Sequence, residues 1–167
     1  MRRLVATLLT AALVACTTPP PEAFVAATGR RDATPLDLGA NQFNEACTLL
    51  RGSADSQVFC GTYVDPAGHV TRMPSGPDAG EALTNSAWRR ALDVRFACDT
   101  AAPADIGGVP GYSLSCTRRQ GGWPHVALAA RIDGTLFLAD GVKPAEPALK
   151  RAIGVMARSA SYADSTR

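Results

Sequence analysis

Two cysteine–histidine intervals are the first feature of this sequence with chemical potential. Cys60 and His69 are separated by eight residues in CGTYVDPAGHV, and Cys116 and His125 by the same eight in CTRRQGGWPHV. These are the two histidines of the chain, and each is followed by Val. Thiolate and imidazole together serve metal binding or nucleophilic catalysis, but the pattern opposes both uses. No C-x-x-C pair occurs, each histidine opens the second strand of an expected hairpin, and nothing in the sequence brings the two histidines together. Ser53, Ser75 and Ser113 lack the G-x-S-x-G turn that exposes a serine nucleophile. Gly107-Gly108 and Gly121-Gly122 do not open helices after strands, as phosphate loops do. The sequence therefore assigns no catalytic residue, no metal ligand and no cofactor.

A structural reading of the cysteines is more economical. Twelve residues lie between Ala46-Cys47 and Cys60, and seventeen between Ala97-Cys98 and Cys116. Each first cysteine falls in or just after an expected helix, and each second one in a strand before a Gly/Pro turn. This describes two copies of a helix–strand–turn–strand unit, each stapled from its helix to its strand. Four cysteines allow three connectivities; the two-unit reading selects Cys47–Cys60 and Cys98–Cys116. Each bridge contributes roughly 3 kcal/mol in the chain-entropy account. The second copy differs in carrying Arg118, Arg119 and Trp123 in its loop, while the same loop of the first carries Tyr63, Asp65 and Pro66. Trp and Arg often anchor interfaces, so these three residues form a candidate interaction patch.

The elements that must position these residues follow from periodicity. Asn41 reads as a helix cap before QFNEACTLLR, with Gly52 as its stop, and Phe43, Cys47 and Leu50 on one face. SQVFCGTYV (56–64) and HVTRM (69–73) read as strands around a DPAG turn, followed by a loop at 74–81. Ser86 or Thr84 caps a second helix over AWRRALDVRF, with Trp88, Leu92 and Phe96 on its apolar face. Residues 99–111 hold too much Gly and Pro for regular structure. Asp133-Gly134, between two strand-like runs, is a strong hairpin signal; it pairs Ile132 with Thr135, Ala130 with Phe137, and Leu128 with Ala139. An amphipathic helix over 147–160 follows, through Leu149, Ile153 and Met156. The expected fold is α+β, an antiparallel sheet of about five strands with helices packed on one face.

The N-terminal residues give an address. Arg2 and Arg3 precede an apolar run, Leu4 to Val14, too short for the roughly 20 residues that span a bilayer but suited to a signal peptide. Its end, Leu13-Val14-Ala15-Cys16, resembles the lipobox of bacterial lipoproteins. That resemblance implies cleavage before Cys16, lipidation of Cys16 and, with Thr17 following, an outer-membrane location with the domain facing the periplasm. Residues 1–15 are then signal peptide, 16–39 anchor and proline-rich tether, 40–160 one globular domain, and 161–167 a flexible tail. Cleavage removes Arg2 and Arg3 from the 17 basic side chains, leaving parity with the 15 acidic ones. A neutral mature chain argues against a nucleic-acid partner, whose binders carry a basic excess.

The segment LSCTRRQGGWPHVALAARIDGTLFLADGV, followed by a helix with RAIGV, resembles a region that precedes tetratricopeptide repeats and a CHAT-type protease-like domain in some proteobacterial proteins. The resemblance spans residues 42–155 and carries over no catalytic residue; it implies an adaptor or sensor role. The sequence thus leads to a non-enzymatic, lipid-anchored envelope protein that binds a protein or envelope polymer. A small-ligand or sensory module is the alternative, and an envelope hydrolase the weakest reading.

Overall fold

The computed structural model describes residues 35–52, 55–61 and 65–164. The leader, Cys16, Tyr63 and the tether through residue 34 lie outside the described residues. In chain order the elements are β1 (Leu36–Ala40), β2 (Ala46–Leu50), β3 (Asp55–Cys60), β4 (Gly68–Met73), α1 (Ala79–Thr84) and α2 (Ala87–Arg95). There follow β5 (Phe96–Cys98), β6 (Ala102–Asp105), β7 (Pro110–Arg118), β8 (His125–Ile132), β9 (Thr135–Val142), a 3-10 turn at Lys143–Ala145, and α3 (Glu146–Asp164). All strand pairs are antiparallel, in the order β1-β2-β3-β4-β9-β8-β7-β5, with β6 pairing a further length of β7. The fold is α+β as expected, but the sheet has nine strands rather than about five.

The β8–β9 hairpin has the expected register: Ile132 opposite Thr135, Ala130 opposite Phe137, Leu128 opposite Ala139. Asp133 and Gly134 turn it with φ of 47° and 76°, the positive values a type I′ turn needs. The helices, however, pack on both faces of the sheet. Val126, Leu128, Ala130, Phe137 and Ala139 join α3 residues Leu149 and Ile153 in one core. Ala127, Ala129, Leu136 and Leu138 join Leu83 of α1 and Leu92 of α2 in the other. The unbroken apolar run from Val126 to Ala130 is the sequence mark of a strand buried on both sides.

Four further expectations are corrected. The segment expected as a first helix is the strand β2, because Asn41 closes a tight turn instead of capping a helix. Its Oδ1 accepts from the backbone N–H groups of Phe43 (2.8 Å) and Glu45 (3.0 Å), and its Nδ2 donates to Glu45 Oε2 (2.7 Å). The chain reverses there, with Asn44 at φ 62°, and the β-branched and apolar side chains of ACTLL alternate across the sheet. The expected loop at 74–81 contains the start of α1, whose cap Asp78 accepts from Glu81 N–H at 2.8 Å. The connection at 99–111 contains β6. Finally, the sheet takes in Leu36 to Gly39 from the expected tether, and α3 runs through Asp164 into the expected tail.

One ladder joins the two halves of this sheet. The meander β1–β4 meets the meander β5–β9 only where β4 lies on β9, with Gly68 opposite Gly141. Leu149 of α3 rests on that glycine pair. A Cβ on Gly68 would stand 2.7 Å from Asp140 O and 2.8 Å from Leu149 Cδ2; one on Gly141 would stand 2.5 Å from Ala67 O. Arg151, also on α3, donates to the carbonyls of Leu38 and Ala40, so the helix reaches the edge strand β1 as well. At its start, Glu146 pairs with Lys143 (2.6 Å) and Lys150 (3.0 Å). Burial pushes the Glu146 carboxyl up, but the two lysines outweigh it and hold it below the usual range.

Gly68→Ala and Gly141→Ala are expected to destabilise the fold by about 1–3 kcal/mol each, the usual range for overpacking a closed site. Chemical denaturation of the oxidised protein measures this, and unchanged midpoints would contradict the close-approach account.

Candidate functional site

Three connections converge at one end of the sheet, beside the end of β3 and the start of β4: the β1–β2 turn, the β7–β8 turn and the β9–α3 junction. Both disulfides pin strands that lead to this end. Cys47 pairs with Cys60 between β2 and β3, and Cys98 with Cys116 between β5 and β7. The partners are as expected from the sequence, but each bridge joins two hydrogen-bonded strands rather than a helix and a strand. Both pairs are directly opposed in register, with Cα atoms 4.1 and 4.0 Å apart. Cys47 is buried in the core under α3, and Cys116 in the core under α1 and α2. Each core therefore contains one staple.

The candidate patch of Arg118, Arg119 and Trp123 divides. Arg119 donates through Nε to the Asp93 carbonyl at 3.1 Å, occupying an acceptor in the last turn of α2. The stem of Arg118 lies along the β7–β8 turn, where a Cβ on Gly122 would meet its Cδ at 3.6 Å. Trp123 is 62% exposed, and its aromatic neighbour is Phe43, itself 55% exposed. Their ring centroids are 5.8 Å apart at 59°. Gly121 and Gly122, with φ of 80° and 116°, give the turn the left-handed backbone that carries Trp123 outward. Beneath the two rings is a half-open pocket of about 260 Å³, lined also by Asn41, Glu45, Val142 and Pro144. The sequence reading placed Phe43 on a helix face; recognising the Asn41 turn is what puts it at the loop end.

The two histidines, which the sequence left apart, stand on strands either side of Asp140 at the same end. His69 is opposite Asp140 across β4–β9, while on the other side Asp140 is opposite Ala127, two residues from His125. Alternation along the strands puts His69, Asp140 and His125 on one face of the sheet. Equal spacing from a cysteine does not give equal register, however. His125 is opposite Cys116, whereas His69 is opposite Gln57, three residues before Cys60.

Burial pushes the Asp140 carboxyl above its ordinary range, against the pull of His69, Arg95 and His125. Burial likewise lowers His125. The Trp123 carbonyl, 3.5 Å from its Nδ1, and the Asp140 charge favour its protonation; Arg95 and Arg118 oppose it. The His125 ring also packs on Phe96, centroid to centroid 4.3 Å. Among the described residues neither ring is hydrogen-bonded to a hydroxyl or thiol, all four described cysteines are in disulfides, and no cluster suited to a metal ion is present.

A second concavity, of about 520 Å³, lies over the outward face of β3 and β4 beside His69, lined by Leu50, Asp55, Gln57 and Thr71. No family model matches the chain, nor does any curated protein or solved structure.

The His125 shift has a definite sign in stability. Its folded pKa lies below the unfolded value, so the unfolded chain takes up the proton first. Stability is then lost as pH falls below about 6.5 toward the folded pKa. Asp140, raised on folding, acts in the opposite sense. Thermal melts between pH 7.5 and 5.5 should show a decline with acidity that His125→Gln flattens; an equal slope in the variant would remove His125 as the cause.

Proposed function

We propose that this protein is a lipid-anchored component of the bacterial envelope whose disulfide-stabilised domain binds a partner through its loop end, without catalysing a reaction. The observation that carries this reading is the exposed aromatic pair Phe43–Trp123. Exposed large aromatics at a rim of polar residues mark interaction surfaces. Here they stand on two turns, each flanked by one disulfide-pinned strand, which reduces the ordering entropy that binding would otherwise lose. The even charge balance of the mature chain favours a protein or envelope polymer over nucleic acid. Anchoring rests on the lipobox at Leu13-Val14-Ala15-Cys16, and the adaptor role agrees with the resemblance to segments preceding repeat and CHAT-type domains. We read the outer membrane as the site of anchoring, with the domain toward the periplasm. The sensory alternative draws its support from the groove beside His69, where Asp55, Gln57 and Thr71 supply polar contacts.

Two measurements test this reading. Cys16→Ser should move the protein from the membrane to the soluble fraction, and unchanged fractionation would remove the lipid anchor. Crosslinked pull-down from the native envelope should lose at least tenfold in recovered partner on Trp123→Ala or Phe43→Ala, as for interface hot spots of about 2 kcal/mol or more. Undiminished recovery from both variants would place the interface elsewhere.

A further inference from the structure

We propose that the pocket between Phe43 and Trp123 is a binding site for one cationic side chain, the ammonium of a lysine or the guanidinium of an arginine presented by a protein partner, with Glu45 as its counter-charge. The proposal rests on the reading of the loop end as the interaction surface and names the chemistry it takes. Two rings 5.8 Å apart and inclined at 59° make adjoining walls, and aromatic faces attract cations through their quadrupole. Glu45 is the single charged side chain among the described residues lining the pocket. No cation among the described residues pairs with it, and the nearby Lys143 is held by Glu146. The pocket is thus aromatic and negative.

Hydrogen bonding narrows the ligand further. Asn41 spends its oxygen on two backbone N–H groups and its amide nitrogen on Glu45 Oε2. That leaves Glu45 Oε1, which accepts no hydrogen bond among the described residues and suits a cation bearing N–H groups. A sugar ring would need several convergent polar groups, and among the described residues the side chains lining the pocket offer only Glu45 Oε1 and the second N–H of Asn41 Nδ2. A quaternary ammonium would satisfy the rings but leave that oxygen unbonded. The volume, about 260 Å³, is below the roughly 300–1,000 Å³ of pockets for drug-sized ligands and fits a single side chain.

The test is NMR titration of the purified full chain in non-ionic detergent, following the Trp123 indole N–H. The probes are Nα-acetyl-lysine methylamide, its neutral norleucine counterpart, and tetramethylammonium. The lysine probe should shift the Trp123 signal saturably at millimolar concentration, with the norleucine probe at least tenfold weaker. Glu45→Gln, which keeps the side-chain shape, should weaken the lysine probe at least threefold, and Phe43→Ala, which leaves the Trp123 reporter in place, at least tenfold.

Equal binding of the norleucine probe, or indifference to Glu45→Gln, overturns the proposal. Tighter binding of tetramethylammonium than of lysine also overturns it, pointing to a choline headgroup. If the lysine probe fails while partner crosslinking still depends on Trp123, the cation site falls and the interaction surface stands. If the lysine probe binds while crosslinking ignores both Trp123 and Phe43, the reverse holds.

Discussion

The pairing of β4 on β9 is the constraint on which the rest of this structure depends. It is the one ladder between the two meanders, so its register decides what each half presents to the other. A slip of one residue would exchange the faces of every side chain on β4. Val70 would leave the α3 core, and His69 would leave Asp140. The glycine pair under Leu149 fixes the choice, because only a strand position without a Cβ lets the helix come down at that point. The packing of α3 and the assembly of the histidine–aspartate group are therefore consequences of one registration.

Each half solves its burial problem differently. The strands β7, β8 and β9 lie between helices and carry apolar side chains on both faces. The strands β2, β3 and β4 place Leu49, Val58 and Val70 under α3, and on the other face they set the buried Leu50 and Phe59 among Thr48, Gln57, His69 and Thr71. That mixed second face buries less apolar area than its counterpart on β8 and β9, and burial of such area is the main favourable term in folding. The Cys47–Cys60 bridge compensates by restricting the unfolded chain, at the point where β2 and β3 leave the α3 core.

The sequence made the parts with unambiguous local chemistry legible. Asp133-Gly134 admits few backbone solutions, and the register of β8 and β9 follows from it. The disulfide partners were also readable, from the matched spacing of two cysteine pairs. Residues with two local solutions were not readable. Asn41 can cap a helix or close a turn, and Phe43, Cys47 and Leu50 fit a helical face as easily as a strand. Pairing with β1 and β3 decides between them, and that is a long-range fact. The placing of His69 and His125 either side of Asp140 depends likewise on β9 entering between β4 and β8, although β9 follows β8 in sequence and β4 precedes both. The aspartate capping α1 is a different case: Asp78 and Glu81 spell a helix start, obscured by the prolines and glycines around them.

The two loop-end features also bear on each other through a short mechanical path. Trp123 and His125 are two residues apart, and the Trp123 carbonyl faces the His125 ring nitrogen. The indole stands in the pocket while the backbone of the same residue borders the histidine–aspartate group. The staple at Cys98–Cys116 holds the strand opposite His125 on one side, and Gly121 and Gly122, whose positive φ values carry Trp123 outward, stand on the other. The half-buried imidazole and the exposed indole are thus held by one short stretch of chain between a disulfide-pinned strand and a glycine turn.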